Sequence, residues 1–147
     1  MRLIIAGTRT FNDYDLLKRK LDKILVNEVK VCIDFVSGGA KGADKLGERY
    51  ARELGIEPTV FPAKWDDIEG KAASEIGTTR GGKKYWKKAG TARNTEMAVY
   101  STHLVAFWDE KSTGTKDMIS QAQSMGLKVR IIYYNRPEPV EKPKREL

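Results

Sequence analysis

Three short stretches of this chain hold residue types suited to gripping an anion. Gly7-Thr8-Arg9-Thr10 sets a glycine beside a hydroxyl donor and a guanidinium. The glycine lets backbone approach a ligand closely, and the guanidinium can bind an anion through two parallel bonds. Ser37-Gly38-Gly39-Ala40-Lys41-Gly42-Ala43-Asp44 exposes several backbone amides where a helix would begin. The helix dipole favours negative charge at such a point, which is the logic of a phosphate or ribose cradle. The stretch is neither GxxxxGK[ST] nor GxGxxG, because both spacings are absent. Asp44 has two readings, a carboxylate for ribose hydroxyls or a first-turn acid that offsets the dipole. Ser112-Thr113-Gly114-Thr115 repeats the pattern as a second cradle, with ordinary helix capping as its plainer reading. Arg93-Asn94 could bring a further cation to the same rim, or Arg93 could pair with Glu96. Arg80 to Lys88 interleaves cations with aromatics, so Tyr85 or Trp86 could stack on a base while lysines meet phosphates. A solvated charged loop is the alternative there. Trp65, after Pro62-Ala63-Lys64, is another aromatic candidate near the mouth.

Residues this far apart need a scaffold to bring them together. Strands are expected at Arg2–Ala6, Val31–Val36, Thr59–Phe61, His103–Trp108 and Lys128–Tyr134, each short and rich in apolar residues. Between them, helical stripes place Leu17, Leu21, Ile24 and Leu25 on one face of Asp13–Asn27, and Ala43, Leu46, Tyr50 and Leu54 on one face of Gly42–Leu54. Helices are further expected at Ala92–Tyr100 and Thr115–Met125. Asn12 or Asp13 would cap the first helix, and Gly55 and Gly126 end the second and last. From Pro62 to about Thr91 no period is visible, which suggests a functional lid or a partly helical segment. Strands alternating with helices predict an α/β domain over residues 1–134: a doubly wound, mainly parallel five-stranded sheet with helices on both faces. It would carry an inserted Lys/Gly-rich loop at about 66–90. Residues 135–147, charged and holding Pro137, Pro139 and Pro143, are expected to form a flexible tail. In such a sheet ligands sit beyond the carboxyl ends of the strands where strand order reverses, at the loops after the first, second and fourth strands. Those are the three stretches above.

Composition narrows the partners. Over 147 residues, 27 Lys plus Arg less 20 Asp plus Glu gives a net charge of +7, with a pI near 9.5, which favours anionic partners. One cysteine, Cys32, rules out an internal disulfide framework or a cysteine-built zinc site. Mid-strand, it reads as core. One histidine, His103, rules out a His-rich metal site and reads as structural. Neither a metal nor a cofactor is expected. No run of about 18 apolar residues is present, and the apolar start Met1–Ala6 is too short for a signal peptide, so the expected address is the cytoplasm, with no membrane partner.

The loops taken together resemble a family. Gly7-Thr8-Arg9, the Ser37–Asp44 run, Pro62-Ala63-Lys64-Trp65, Gly90 with Arg93-Asn94 and Met97, and Ser112–Thr115 are similar, in order and spacing, to the YspA-like, cpYpsA-related branch of the SLOG superfamily. The resemblance runs from Arg2 to about Tyr134. It implies a Rossmann-like fold and a nucleotide-derived small molecule, of the NAD, ADP-ribose or cyclic nucleotide kind, which the protein would sense or sequester. It also implies pairing into a homo-oligomer. The superfamily includes Lonely Guy (LOG) phosphoribohydrolases, whose PGGxGTxxE motif supplies a catalytic glutamate that works with an arginine. Here that glutamate position falls on Met118, and methionine cannot act as a base. Asp117 is adjacent but turned by about 100° on a helix. A glycosidase would therefore need Asp117, Asp109 or Asp44 as its carboxylate, with Arg93 matching the arginine. Single-stranded nucleic acid is the third class of partner, through the Smf-type DNA-processing members and the Lys83–Lys88 stretch.

Overall fold

Arg2–Gly7 (β1) buries four residues in succession, Leu3 to Ala6, as a strand covered on both faces must. A computed structural model describes residues 1–26 and 33–137. In it β1 lies at the centre of a five-stranded sheet. The other strands are Asp34–Ser37 (β2), Thr59–Val60 (β3), His103–Trp108 (β6) and Lys128–Tyr133 (β7), in the order β3-β2-β1-β6-β7. Every pairing in it is parallel. The order reverses between β1 and β6, which run side by side from Leu3 opposite His103 to Gly7 opposite Phe107.

Alternation along the strands divides the core in two. Leu3, Ile5, Val105 and Phe107 face one way, onto Tyr14–Ile24 (α1) and Ala43–Glu53 (α2), where Leu17, Leu21, Tyr50 and Ala51 close the layer. Ile4, Ala6, Leu104 and Ala106 face the other way, onto Ala89–Tyr100 (α3) and Thr113–Ser124 (α4), meeting Met97, Ala98, Met118 and Ile119. The doubly wound, Rossmann-like architecture expected from the strand–helix rhythm is therefore present.

Details depart from the sequence expectation for local reasons. Asp13 does cap α1, its side chain accepting the Leu16 amide at 3.0 Å. On α2 the inward stripe is Ala43, Gly47, Tyr50 and Ala51, and Leu54, expected inward, is 53% exposed just past the helix end. Gly47 draws the helix onto the sheet, since a Cβ there would lie 2.7 Å from Ile5. The segment 62–88, expected as a functional lid or a partly helical stretch, has only one short helical turn and is otherwise built around a hairpin that was not expected. It forms a 3-10 turn at Ala73–Glu75 and an antiparallel hairpin, Ile76–Thr78 (β4) with Lys84–Trp86 (β5). Its strands are too short to show alternation, and α3 starts at Ala89 rather than Ala92. Asn135 and Arg136, read as part of a fraying tail, make a turn in which Arg136 donates to Tyr133 O and pairs with Glu110. α1 ends at Ile24 with Leu25 as its cap, short of the expected Asn27, and residues 138–147 of the tail, Val31 and Cys32 lie outside the described residues. No helix among the described residues is long and apolar enough to cross a membrane.

Candidate functional site

Where β1 and β6 part, an open cleft of about 680 Å³ lies across the carboxyl ends of the strands. This is the place that the reversal of strand order dictates. Ala6, Gly7 and Arg9 enter it from β1, Ala40 and Asp44 from the start of α2, and Trp65 and Lys87 from the 62–88 arm. Gly90, Thr91, Arg93, Asn94 and Met97 of α3 form one wall; Lys111 to Thr115, Asp117 and Met118 form the other.

The first two loops are packed and hydrogen-bonded among themselves. A Cβ on Gly7 would lie 2.2 Å from Phe107 O, so only glycine lets β1 come this close to β6. Thr8 is buried; its amide donates to Phe107 O at 2.9 Å, and its hydroxyl accepts the Asp109 amide at 3.1 Å. In the β2–α2 loop, Ser37 Oγ donates to Glu48 at 2.7 Å and accepts the Gly39 amide at 3.0 Å. The Ala40 amide donates to Asp44 Oδ2 at 3.2 Å. Arg93 Nη1 donates to Gly38 O, and Arg93 Nε to Asn94 Oδ1 at 3.0 Å. A Cβ on Gly38 would lie 2.5 Å from Arg93 Nη1 and 2.8 Å from Asp44 Oδ2, so a side chain there would push both groups from their places. Gly42 has φ +79, and a Cβ there would meet the Thr8 and Arg9 carbonyls at 2.4 and 2.5 Å. Thr8, Ser37, Gly38, Gly39 and Gly42 thus form the frame of the site. What that frame presents to the cleft is Arg9, Asp44 and Arg93. Burial pushes the Asp44 carboxyl up to about 6, against the pull of the Ala40 amide, Arg93 and Arg9. Burial likewise lowers the Arg93 guanidinium from its ordinary value.

The third loop is organised to leave its amides open. Asp109 Oδ1 accepts the amides of Lys111 and Ser112, both at 2.8 Å, which turns the chain into α4. Ser112 caps the helix by accepting the Thr115 amide. Thr113 and Gly114 precede that bond, and their first-turn amides have no protein partner among the described residues. The beginning of α3 is similar: Lys88 occupies the cap position without a side-chain cap bond, and Gly90 and Thr91 line the cleft. Neither helix carries an acid in its first turn. Asn94 ties the two walls together, donating to Asp117 Oδ2 at 2.9 Å, which also accepts from Gln121 at 3.0 Å. Met118, 2% exposed, lies on the cleft lining where a catalytic carboxylate would stand in a LOG-type motif.

Two expectations about the aromatics change. Tyr85 lies over Gly77 and meets Trp65 edge-on, ring centres 6.3 Å apart. Trp86 is covered by Lys71, whose Nζ is 4.1 Å from the ring centre. Neither lines the cleft; Trp65 does. Sequence reasoning did not single out Lys111, Thr91 or Glu48. Glu48 is 3% exposed and reaches Ser37, Lys45 and Arg52. Its spacing of four from Asp44, on one helix face, was the available signal. Among the described residues no three His, Cys, Asp or Glu side chains converge as metal ligands.

Comparison with known proteins agrees with this frame. The YspA, cpYpsA-related SLOG family matches residues 1–67, the part that ends just past Trp65. The Gene 61 protein of Mycobacterium phage D29 is 29% identical, over 87% of this chain and 93% of that protein. The X-ray structure of DNA processing protein A (DprA) from Streptococcus pneumoniae superposes with a TM-score of 0.60 at 18% identity. That match covers 88% of this chain but 49% of the other, so this chain spans about half of that protein's length.

Proposed function

From the premise that residues 1–67 carry the SLOG-family pattern on a Rossmann-like sheet, we propose that this protein binds a phosphate-bearing nucleotide derivative in the cleft and does not turn it over. The ligand would be of the NAD, ADP-ribose or cyclic nucleotide kind, and the protein its sensor or store. One observation carries the reading: α3 and α4 both begin on the same cleft, with first-turn amides that have no protein partner among the described residues and no acid within the first turn itself, and Arg9, Lys87 and Lys111 join Asp44 and Asp117 on the lining. Amides at a helix start, flanked by cations, suit a phosphate. Asp44 would take ribose hydroxyls, with Arg93 holding the loop that carries it.

The absence of turnover rests on Met118 and on Asp117, whose Oδ2 is occupied by the Asn94 and Gln121 amides. Thermal-shift screening against NAD, ADP-ribose, AMP and cyclic nucleotides, with chromatography of each sample afterwards, tests the reading. A ligand at 100 times its dissociation constant adds about 2.7 kcal/mol and is recovered intact. Free base in the chromatogram would instead make the protein a phosphoribohydrolase.

A second reading, single-stranded nucleic acid, is favoured by the hairpin tip. Arg80 and Lys84 are exposed there without a carboxylate partner among the described residues, whereas Lys83 pairs with Asp66 at 3.0 Å. It predicts affinity that falls steeply with salt and tolerates any base order. Pairing of two copies belongs to the main reading, and Val99, 70% exposed on α3, is the apolar side chain such a contact would cover.

A further inference from the structure

We propose that the ring of Trp65 is the stacking platform for the planar base of the bound nucleotide, and that the 62–88 arm exists to hold it there. The proposal rests on the phosphate reading of the cleft and adds the other half of the ligand.

The three tryptophans have different surroundings. Trp108 donates its indole N–H to Ser112 O at 3.0 Å and lies beside Tyr133. Trp86 is half-buried with Lys71 over its ring, and its indole nitrogen is out of contact with solvent. Trp65 keeps 38% of its surface exposed and is the aromatic residue on the cleft lining among the described residues.

The arm fixes this ring without help from a ligand. Trp65 O accepts the Trp86 amide at 2.8 Å, which ties the residue to β5. Tyr85 braces the indole edge-on, and Tyr85 finds its place because Gly77 has no side chain: a Cβ there would lie 2.6 Å from the phenol ring. The Cη2–Cζ2 end of the Trp65 six-membered ring packs against Gly90 in the first turn of α3. A Cβ on Gly90 would approach it to 3.3 Å, closer than side chains ordinarily pack. Two glycines and a tyrosine thus fix one indole at the mouth of a phosphate-sized set of amides.

The chemistry follows from the ring. An indole stacks on any base because every base has a π-face, so it separates nucleotides from sugar phosphates without choosing among bases. A cleft of about 680 Å³ has room for both halves of a nucleotide.

AMP and ribose 5-phosphate share sugar and phosphate and differ by the base, so titrating the full chain with each isolates the platform. Wild-type protein is expected to bind AMP about ten to a hundred times more tightly than ribose 5-phosphate. Trp65→Ala should bring AMP down to the ribose 5-phosphate level while leaving ribose 5-phosphate unchanged, which also shows that the cleft has kept its shape. Trp65→Phe, which preserves an aromatic face should the alanine variant fail to fold, should retain most of the preference. Equal binding of the two probes by wild type, or a preference that survives Trp65→Ala, overturns the platform alone. Binding of neither probe at millimolar concentration overturns the phosphate reading beneath it.

Discussion

Ser37-Gly38-Gly39 and Ser112-Thr113-Gly114 look alike as strings, and both join a strand of the same sheet to the helix that follows. Their physics is opposite. In the first, the serine is 3% exposed and spends its hydroxyl on Glu48 and Gly39, Asp44 takes the Ala40 amide, and Arg93 takes the Gly38 carbonyl. In the second, the serine caps its helix and the next two amides stay open to the cleft. Glycine in the first loop admits other parts of the protein. Glycine in the second has nothing within 4 Å of where a Cβ would go, so the space beside it is open. A glycine-rich turn is thus a site only where the chain has not already satisfied it.

The contrast is sharpest in glycine substitutions. Gly42→Ala must hold a side chain at φ +79 against two carbonyl oxygens, and is expected to lower stability by about 3 kcal/mol or more, a fall of about 10 °C in melting temperature. Gly114→Ala has open space inside the first turn of α4, and should raise stability by about 0.5 kcal/mol. Similar melting points for the two variants would break the comparison.

The acid of the first loop gives the next largest effect. The folded chain raises the Asp44 carboxyl from 3.8 to about 6, so its protonated form favours folding. That contribution is complete below about pH 3.8 and is lost as pH rises through 6. The interval corresponds to about 3 kcal/mol. Melting curves of wild type and Asp44→Asn between pH 4 and 7 should therefore diverge, the variant gaining relative to wild type as pH rises. Parallel curves would mean that Asp44 is solvated like a surface acid.

The serines make the finest test. Ser37→Ala takes the partner from Glu48 Oε2 and from the Gly39 amide, and should lower the unfolding free energy by about 2 kcal/mol in urea titration. Ser112→Ala removes an exposed-rim helix cap and should lower it by about 1 kcal/mol. Reversed order would place the packed loop at the wrong strand.

Much of this was legible in the residues. The buried runs Leu3–Ala6 and Leu104–Phe107 announce strands covered on both faces, and alternation with helices then fixes a parallel sheet and the end where ligands bind. Arg9, Asp44, Arg93 and Ser112 to Thr115 could be named because they stand at that end. What could not be read was how the loops use their own hydrogen bonds. Nothing near Ser37 in the chain says that Glu48, eleven residues later, will take its hydroxyl. The hairpin was hidden for another reason: Ile76–Thr78 and Lys84–Trp86 are three residues each, and Gly77 interrupts the alternation that marks a strand. Tyr85 and Trp86 therefore looked like equals of Trp65, although the hairpin sets Tyr85 against Trp65 and leaves Trp86 half-buried beneath Lys71.

The most direct test is amide chemical-shift mapping of the full chain titrated with AMP. The phosphate should move the amide resonances of Thr113 and Gly114, with Thr91 alongside, and leave Gly38 and Gly39 nearly unmoved. Shifts concentrated at Gly38 and Gly39, or no shifts at Thr113 and Gly114 at saturation, would contradict the assignment of the open loop as the anion receiver.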